Sequence, residues 1–338
     1  MLNVIRMNKN NSKTVFVSGG TGSFGKAFLK KTLDQINFLK KIIVFSRDEF
    51  KQHSLKNELK FHKHFQKIRF FIGDIRDFRR LNAALEGVDV VIHAAALKQV
   101  DTAEYNPSEF IKTNILGTQN IVDAAIAQNV KKIIALSTDK ATSPINLYGA
   151  TKLCAEKIIL AANNIKGKRD MTFSVVRYGN VASSRGSVIP VFYEQKKNKE
   201  LQITDLNMTR FTISLDESVN FVLKSLELSK GGEIFIPKMS SYDLGSLAEA
   251  VAPNIRKKVV GIRPGEKIHE ELIGAYEAIN TFDCGKYYVI INPSNKKLFK
   301  YYKALKKSSQ MNTGFTYTSN NNKNRLTLTQ IKNKLLEA

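Results

Sequence analysis

The sequence has no tryptophan and only two cysteines, Cys154 and Cys284, among its 338 residues. Two cysteines cannot build a disulfide framework or a cysteine-rich zinc site, so no metal is expected. No apolar run reaches the roughly 18 residues that a membrane-spanning helix needs, and the N-terminal stretch lacks the apolar segment of a secretion signal. We therefore expect a cytoplasmic protein that is not inserted in a membrane.

The composition that remains is that of a globular protein. Hydrophobic residues make up 43% and charged residues 25%, which excludes collagen-like, coiled-coil and wholly disordered chains. The net charge of +23 would suit nucleic acid, an anionic surface or a phosphorylated ligand. Because the lysines are scattered and form no stripe interleaved with aromatic residues, we expect no nucleic-acid partner and place the excess charge on solvated helix faces.

The first half of the chain alternates short β-branched runs with helical segments. Strands are predicted at 14–18, 42–45, 68–72, 88–92, 132–137 and 172–177, and helices at about 107–129 and 148–164. Strands that alternate with helices predict an α/β fold, a Rossmann-type doubly wound parallel sheet covered on both faces.

Past residue 180 the elements become shorter. Helices are predicted at 187–197, 215–228 and 243–252, and strands at 234–236 and 258–260. We predict a polar extension (1–12), a Rossmann domain that later strands can join (13–180), a smaller α/β substrate-binding domain (181–290) and a C-terminal tail (291–338). In the tail, Thr327 followed by Gln330 predicts a capping box at the start of a last helix.

A GxxGxxG pattern, Gly19, Gly22 and Gly25, lies between the first predicted strand and a helix. Such a turn needs glycine for positive φ, for close approach to a pyrophosphate and for tight packing of helix on sheet. The helix N-terminus then offers N–H groups to the phosphates. The cofactor-binding residues predicted in this loop are Gly19, Thr21, Gly22, Ser23, Phe24 and Gly25.

The ends of the next strands carry the rest of the predicted dinucleotide site. An acidic residue alone after the second strand favours NAD, whereas an arginine can hold the 2′-phosphate of NADP. Arg47 favours NADP and Asp48 leaves NAD open. The further cofactor-binding residues predicted here are Ser46, Arg47, Asp48 and Lys51 after the second strand, Asp74 and Ile75 after the third, and Ala94, Ala95 and Ala96 after the fourth.

Tyr148 and Lys152 stand four residues apart at the start of a predicted helix, so both project from one face. A nearby ammonium is expected to lower the pKa of the phenol and to make it a base near neutral pH, and both residues are expected to contact the cofactor. Thr138 ends the fifth strand and offers a hydroxyl to a substrate alcohol. Asp139 and Lys140 follow it, either as a surface ion pair or, given their position at the carboxyl edge of the sheet, as an acid–base pair.

These residues resemble the extended short-chain dehydrogenase/reductase family and, more narrowly, the inverting UDP-N-acetylglucosamine 4,6-dehydratases. The resemblance runs from about residue 13 to about residue 288. It rests on residues 19–25, on 137–152 (STDKATSPINLYGATK), on 177–181 (RYGNV), on 184–188 (SRGSV) and on 261–267 (GIRPGEK). Asp139 and Lys140 are the most discriminating feature, because retaining sugar-nucleotide dehydratases typically carry Asp-Glu there.

The resemblance implies tightly bound NADP, UDP-N-acetylglucosamine as substrate and the first step of pseudaminic acid biosynthesis. It implies Tyr148 as base at the 4-hydroxyl, Lys140 as base at C5 with a depressed pKa, and Asp139 as acid at the 6-hydroxyl with a raised pKa. Asn114 is expected to brace the site, and His93 to be a packed core residue. The substrate-binding residues implied are Lys98, Asn180, Arg185, Arg263 and Glu266.

Several alternatives stay open at this point. A homo-oligomer, a hexamer by resemblance, is expected. Related capsule-sugar dehydratases that add epimerisation share the same core, and the pathway can lead to flagellin or to a capsule. A 4-epimerase would keep the Tyr-Lys pair without needing the acid–base pair after Thr138. The alternative outside the enzyme class is a non-catalytic NADP-binding regulator. Loss of a catalytic residue would indicate such a protein, but Thr138, Tyr148 and Lys152 are all present.

Overall fold

The computed structural model describes residues 13–35, 39–182 and 188–337. Its first half consists of β1 (Lys13–Ser18), α1 (Ser23–Gln35), β2 (Leu39–Ser46), α2 (Glu49–Leu59), β3 (Ile68–Ile72), α3 (Phe78–Ala84), β4 (Val90–His93), α4 (Val100–Tyr105), α5 (Pro107–Phe110), α6 (Gly117–Ala127), β5 (Lys132–Thr138), α7 (Leu147–Ile165) and β6 (Thr172–Tyr178). Each of the six predicted strands overlaps one of β1–β6. The helix predicted at 107–129 is not continuous, because a π-helical segment, Ile111–Leu116, joins α5 to α6.

The second half has shorter elements. They are β7 (Asn180–Val181), α8 (Val188–Lys197), β8 (Glu200–Ile203), β9 (Thr209–Ile213), α9 (Leu215–Leu228), β10 (Glu233–Pro237), β11 (Ser240–Asp243), α10 (Leu244–Val251), β12 (Arg256–Val259), β13 (Glu271–Ile273), β14 (Thr281–Asp283), β15 (Tyr287–Ile291), α11 (Lys296–Ala304), β16 (Ser309–Gln310), β17 (Tyr317–Thr318) and α12 (Leu328–Glu337). The three predicted helices correspond to α8, α9 and α10, with residue 187 outside the described residues. The two predicted strands overlap β10 and β12.

Ten strands of the described chain form one sheet in the order β16-β14-β15-β10-β6-β5-β4-β1-β2-β3. The pairs from β3 to β10 are parallel, and β15, β14 and β16 add antiparallel pairs at one edge. The predicted doubly wound sheet is therefore confirmed. The strand order reverses between β1 and β4, and at such a point a ligand crevice opens outside the carboxyl ends of the strands.

The described residues form three hydrophobic clusters, of which the smallest consists of Ala103, Phe110 and Tyr148. Of the other two, the larger packs helices on both faces of the main sheet. The smaller is enclosed by α8, β8, α10 and α12, and includes Phe192, Leu247 and Ile331. Strands β10, β14, β15 and β16 lie past the predicted boundary at 180 and pair within the main sheet, which the prediction that later strands can join the Rossmann domain allows.

The predicted C-terminal tail contributes to both the larger and the smaller core. Leu298 and Tyr302 of α11 belong to the larger core, and α12 belongs to the smaller one. The predicted capping box is present, because Gln330 N donates to Thr327 Oγ1 at 3.3 Å and Thr327 N donates to Gln330 Oε1 at 2.9 Å. Among the helices described, none combines the length and apolarity that crossing a membrane requires.

Candidate active site

The loop from β1 to α1 is shaped by glycines under different constraints. Gly19 has a φ of +67°, and a Cβ there would come within 2.9 Å of the Ala95 backbone. A Cβ on Gly25 would lie 2.6 Å from the Gly19 carbonyl oxygen, so only glycine lets α1 start this close to the strand. Gly22 lines the open cleft. The first N–H groups of the helix therefore face a cradle that fits a pyrophosphate.

Ser18, at the end of β1, fixes the backbone that follows β4. Its Oγ accepts hydrogen bonds from Ala94 N (3.1 Å) and Ala95 N (3.2 Å), so its own proton goes to His93 Nδ1 at 2.8 Å. His93 Nε2 then donates to Thr118 Oγ1 at 3.0 Å. Burial lowers the pKa of His93 to about 3, and the ring is neutral. His93 is thus a packed core residue, as its place in an apolar strand predicts.

The two charged residues that follow β2, Arg47 and Asp48, have different surroundings. Asp48 caps α2, where its carboxylate accepts a hydrogen bond from Lys51 N at 2.9 Å and pairs with the Lys51 ammonium. The Arg47 side chain is 55% exposed. Thr21 Oγ1 donates to Ser46 Oγ at 3.1 Å, which joins the glycine loop to this strand end. Asp48 is therefore occupied with starting a helix, whereas Arg47 projects at the surface.

Asp74, after β3, is held by two arginines. Arg76 Nη2 lies 2.7 Å and Arg47 Nη1 3.7 Å from its Oδ2. Partial burial opposes the effect, but the hydrogen bonds and charge of Arg76 keep the pKa of Asp74 below its usual range. The next residue, Ile75, is buried, and its carbonyl accepts a hydrogen bond from Asn120 Nδ2 at 3.0 Å. The segment after β3 is thus fixed in place by contacts from three sides.

Tyr148 and Lys152 lie on the first turns of α7. Asn146 caps this helix, since its Oδ1 accepts a hydrogen bond from Gly149 N at 2.7 Å. Lys152 Nζ donates to the Leu136 carbonyl of β5 at 2.8 Å. Both side chains of the Tyr-Lys pair line the same cleft, as their spacing predicts.

The expected lowering of the Tyr148 pKa is wrong for this structure. Burial raises the pKa of Tyr148 to about 12, against the opposing effects of the Lys140 charge and a Thr138 hydrogen bond. Lys152 has its own pKa lowered to about 8, because burial outweighs the attraction of Glu156. Desolvation of the phenol, which sequence spacing does not reveal, is the larger effect.

Asn114 braces the catalytic helix, as expected. Its Nδ2 donates to the Leu97 carbonyl at 2.9 Å and to Thr151 Oγ1 at 3.0 Å, and its Oδ1 accepts from Leu97 N at 2.9 Å. It lies in the π-helical segment between α5 and α6. Such segments are frequent at functional sites. This one fixes the backbone just before Lys98.

Asp139 and Lys140 follow β5 and belong to a buried cluster rather than to a surface ion pair. Lys140 Nζ donates to Asp139 Oδ1 at 3.2 Å and to Glu270 Oε1 at 2.8 Å. Thr138 Oγ1 also donates to Asp139 Oδ1, at 2.9 Å. Arg210 Nε lies 3.6 Å from Glu270 Oε1. Two carboxylates and two cations are therefore grouped at the floor of the cleft, where Lys140, Glu270 and Arg210 line the surface and Asp139 lies directly behind Lys140.

The cluster overturns one expected pKa shift. Burial, and then the charge of Glu270, raise the pKa of Asp139, in the direction expected of an acid. For Lys140, burial acts to lower the pKa, but the charges of Asp139 and Glu270 together raise it well above its usual range. The expected depression was therefore wrong. The charge of Asp139 is the larger cause, and Glu270, which lies 130 residues away in the sequence and was not predicted, adds to it.

The loop that carries Arg263 and Glu266 docks on the start of α7. Asn146 Nδ2 donates to the Gly265 carbonyl at 2.7 Å. Gly265 has a φ of +78°, and a Cβ there would lie 3.0 Å from Asn146 Cβ. Lys267 Nζ donates to the Thr142 carbonyl at 2.6 Å. The GIRPGEK segment is thereby brought to the cleft although it lies more than ninety residues after the end of α7.

Two of the three remaining implied substrate residues lie around the same opening. Lys98 and Asn180 line the cleft, and burial together with the Lys140 charge lowers the pKa of Lys98. Arg185 lies outside the described residues. The cleft has a volume of about 650 Å³.

Most of the predicted site residues meet in this cleft. Those that line it are Gly19, Gly22, Ser23, Phe24, Gly25, Ala94, Ala96, Lys98, Thr138, Lys140, Tyr148, Lys152, Asn180, Arg263 and Glu266. Those that lie behind or beyond its wall are Thr21, Ser46, Arg47, Asp48, Lys51, Asp74, Ile75, Ala95 and Asp139. Glu270 and Arg210 also line it, and sequence reasoning missed both. None of the motifs quoted above contains them, and the one local signal is that Glu270 lies three residues after the GIRPGEK segment.

A doubly wound sheet with a glycine loop after β1 and a Tyr-Lys pair on α7 defines a dinucleotide-binding protein of the short-chain dehydrogenase/reductase class. The chain belongs to the family of polysaccharide biosynthesis proteins, whose model matches residues 15–292. The resemblance to inverting dehydratases is confirmed by a relative from Campylobacter jejuni, named UDP-N-acetylglucosamine 4,6-dehydratase (inverting). It is 49% identical over 92% of this chain and 94% of its own.

A second relative and a solved structure are also similar to this chain. A relative from Rickettsia canadensis, named UDP-glucose 4-epimerase, is 41% identical over 96% of this chain and 95% of its own. The X-ray structure of Pen from Bacillus thuringiensis superimposes with a TM-score of 0.87 at 39% identity, covering 97% of this chain and 98% of that one. The whole architecture, including the returning strands, is thus shared with a solved structure.

Proposed function

We propose that the protein converts UDP-N-acetylglucosamine to UDP-2-acetamido-2,6-dideoxy-β-L-arabino-hex-4-ulose, a 4,6-dehydration with inversion at C5. The observation that carries this proposal is the Asp139–Lys140 pair at the floor of the cleft that Tyr148 also lines. Loss of water across C5 and C6 needs a base for the C5 hydrogen and an acid for the 6-hydroxyl, and this pair supplies both. The identity to the Campylobacter dehydratase supports the same reaction.

The glycine cradle and the cleft behind it fit a nicotinamide dinucleotide. When bound, this cofactor would supply reversible oxidation at C4 and reduction at C6, so that it is regenerated in each turnover. The pyrophosphate would lie on the glycine loop, the adenosine against the ends of β2 and β3, and the nicotinamide beside Tyr148 and Lys152. The alanines after β4 leave room for it.

Within that class we propose NADP rather than NAD. NAD recognition uses a carboxylate on the ribose hydroxyls, but Asp48 is engaged as the cap of α2 and by Lys51. Arg47 and Lys51 instead present two cations at the same strand end. A 2′-phosphate suits these charges better than a hydroxyl does.

Tyr148 and Thr138 act on the 4-hydroxyl. Thr138 orients the substrate alcohol and Tyr148 removes its proton. Since the pKa of Tyr148 is raised to about 12 by burial, the phenol is protonated in this structure and depends on nearby positive charge to ionise. Lys140 and Lys152 are the cations placed to provide it.

Lys140 and Asp139 act on C5 and C6. The 4-ketone acidifies the C5 hydrogen, which Lys140 removes while Asp139 protonates the departing 6-hydroxyl. The raised pKa of Asp139, caused by burial and by Glu270, suits a proton donor. Reprotonation of C5 on the opposite face then inverts that centre.

The uridine diphosphate would be held at the other side of the cleft. Arg263 and Lys98 carry positive charge for its phosphates, and Glu266 can accept from a ribose hydroxyl. Arg185, which lies outside the described residues, is proposed for this role from the sequence alone. Asn180, at the start of β7, lies between the two ends. We place the reaction at the first step of pseudaminic acid biosynthesis and, because its ligands are charged nucleotides, in the cytoplasm.

The test is NMR of the purified protein incubated with UDP-N-acetylglucosamine in D₂O without added cofactor. We expect a new 6-methyl signal, deuterium at C5 and the L-arabino configuration. A D-xylo product would place the protein with the retaining enzymes, and continuing epimerisation would place it with the related capsule-sugar enzymes. Unchanged substrate with a dinucleotide demonstrably bound would favour the regulator.

A 4-epimerase is the second candidate, because the Rickettsia relative carries that name. The same experiment separates the two activities. An epimerase yields the 4-epimer with its 6-hydroxyl retained and no deuterium at C5. The Lys140→Ala variant sharpens the result, since it should abolish dehydration but should leave epimerisation active.

A further inference from the structure

The net charge of +23 is not spread evenly along the chain. Between residues 284 and 336 the sequence has eleven lysines and arginines and no aspartate or glutamate. All of the lysines in and directly after α11 are exposed, and none of them forms an ion pair with another described residue. These six residues are Lys296, Lys297, Lys300, Lys303, Lys306 and Lys307.

The spacing within α11 separates its lysines from its apolar residues. Lys296, Lys300 and Lys303 recur at i, i+4 and i+7 and so share one face of the helix. Leu298 and Tyr302 lie on the other side, where both are buried in the larger core. The helix is therefore fixed to the sheet by its apolar side and presents a row of ammonium groups to solvent.

This row lies at the amino ends of the strands, on the side of the sheet opposite the cleft. A Cβ on Gly232, just before β10, would lie 3.6 Å from Leu298 Cδ2. Lys230 Nζ, also before β10, lies 4.4 Å from the centre of the Tyr301 ring. Since β10 is parallel to β6 and the cleft lies at the carboxyl ends of the parallel strands, α11 and the cleft are at opposite ends of the sheet.

Neighbouring strands add cations at the same end of the sheet. Lys131 precedes the second residue of β5, Lys168 and Arg169 precede β6, and all three are exposed. The strands β5, β6 and β10 are adjacent in the sheet. We call this surface the basic face; it consists of the six lysines of residues 296–307 together with Lys131, Lys168, Arg169 and Lys230.

The acidic residues at this end of the sheet neutralise little of that charge. Asp89 and Glu227 each pair with a lysine outside the basic face. Glu233 is buried, and Asp170 is the exposed carboxylate next to Arg169. The basic face therefore keeps a large excess of positive charge, which attracts an anionic surface.

We propose that the basic face docks the protein on an anionic lipid surface, with the cleft turned away from the lipid. The inference goes beyond the proposed reaction and does not depend on it. Clusters of lysine or arginine on an amphipathic helix are typical of segments that bind anionic headgroups, and each cation near the surface strengthens binding by about fivefold. Because the apolar side of α11 is occupied by the core, charge alone drives the binding.

Nucleic acid fits this face less well. Leu298 and Tyr302 fasten α11 to the core, so the helix cannot enter a DNA groove as a separate recognition helix does. The cations of the basic face are lysines except for Arg169, and a lysine lacks the planar fork that arginine offers to a base edge. Of the aromatic residues in α11 only Tyr301 is exposed, whereas single-strand binding uses several stacking rings.

The first test is cosedimentation of the wild type with vesicles of phosphatidylcholine, either alone or with about 30% phosphatidylglycerol, in about 0.1 M salt. We expect binding only to the vesicles that contain phosphatidylglycerol. It should disappear in about 1 M salt, where the Debye length is about 3 Å. An absence of binding to the anionic vesicles, or binding that survives the high salt, would overturn the inference.

A triple variant tests whether the basic face is the surface that binds. It carries Lys296→Gln, Lys300→Gln and Lys303→Gln. The matched control removes the same charge at three exposed, unpaired lysines of α8, β12 and the turn after α8, and carries Lys197→Gln, Lys199→Gln and Lys258→Gln. Vesicle binding should fall by about 100-fold in the first variant and by less than about threefold in the control. Equal losses in the two variants would mean that net charge, and not the basic face, determines the binding.

The absence of tryptophan allows a second measurement that keeps every lysine. Tyr301→Trp places a fluorophore within the basic face. Tyr276→Trp places one on the cleft side, because Tyr276 is 87% exposed and a Cβ on Gly274 would lie 3.4 Å from Thr142 Cγ2, just after β5. Anionic vesicles should shift the emission of the first variant to shorter wavelength and leave that of the second unchanged. A shift at residue 276 without one at residue 301 would place another surface against the lipid and overturn the inference.

Titration of a labelled DNA duplex in the same salt tests the other polyanion. Binding to the duplex without binding to the anionic vesicles would assign the basic face to nucleic acid and overturn the lipid proposal. Failure of the proposed function gives a different result, since a wild type that binds vesicles but yields no 6-methyl signal would contradict only the reaction.

Discussion

Arg177, which is fully buried, and Lys140, whose side chain is 22% exposed, each face two carboxylates, yet the two cations have different roles. Arg177, fully buried in β6, donates to Glu156 at 2.6 and 2.9 Å and to Glu277 at 2.9 Å. Its remaining N–H capacity goes to Thr142 Oγ1 and to the Leu272 carbonyl. The guanidinium is therefore fully satisfied, and it ties α7 to β6 and to the loop before β14.

The Lys140 cluster is satisfied only in part. Asp139 Oδ2 and Glu270 Oε2 are both buried without a hydrogen-bond partner among the described residues. The cluster opens to the cleft, and a lysine, unlike an arginine, can release its proton. The difference teaches that the number of buried charges does not distinguish a structural network from a chemical one. The two kinds of network are distinguished by whether every hydrogen bond is made and by whether the cation is an arginine or a lysine.

The largest effect is expected from Lys140→Arg, which keeps the charge and removes the base. Because a guanidinium does not deprotonate in proteins, kcat should fall by about 10³-fold, while the free energy of unfolding changes by less than about 1 kcal/mol. The measurements are product formation by NMR and urea denaturation. Substantial dehydration by the arginine variant would mean that Lys140 is not the base.

The reciprocal substitution, Arg177→Lys, should do the opposite. An ammonium has three donors in place of the guanidinium's five and cannot bridge both carboxylates through a planar fork, so the free energy of unfolding should drop by about 3 kcal/mol. Turnover per folded molecule at low temperature should stay within about threefold of the wild type. A stable but inactive protein would contradict the structural role of Arg177.

His93 is a buried titratable group without a carboxylate partner, so its effect on stability should depend on pH. Its folded-state pKa, about 3, lies below the unfolded value of 6.5, so between these values the unfolded chain binds a proton that the folded chain does not. Stability should therefore fall as the pH decreases below 6.5, by about 1.4 kcal/mol per unit. Urea denaturation of wild type and His93→Gln at several pH values should show that this part of the slope disappears in the variant.

The smallest effect is expected from Arg47→Ala, which removes an exposed cation. Surface ion pairs contribute about 0–1 kcal/mol, so stability should hardly change even though Asp74 loses a partner. Affinity for NADP relative to NAD should fall by about fivefold or more. Competitive loading of the apo-protein with the two dinucleotides measures the ratio, and an unchanged ratio would remove Arg47 from 2′-phosphate recognition.

Local patterns predicted much of the fold. The strands β1–β6 and the helices α7 to α10 were recognised because periodicity and β-branched runs are local properties of the chain. The short strands β7–β9, β11 and β13–β17 were not recognised. They have two to five residues each, and all of them pair with a segment that is distant in the sequence, although β14 and β15 also pair with each other.

In the site, too, some features follow from local sequence and others from contacts between distant residues. The glycine loop and the Tyr-Lys pair are set by spacing within one strand–helix unit, so the sequence by itself determined them and the class of chemistry. The protonation states were decided by tertiary structure alone. Burial raised the pKa of Tyr148, and Glu270, from 130 residues away, placed a second carboxylate on Lys140. Spacing along a chain sets which side chains share a face, but electrostatics depends on every charge within a few ångströms and on the water that folding removes.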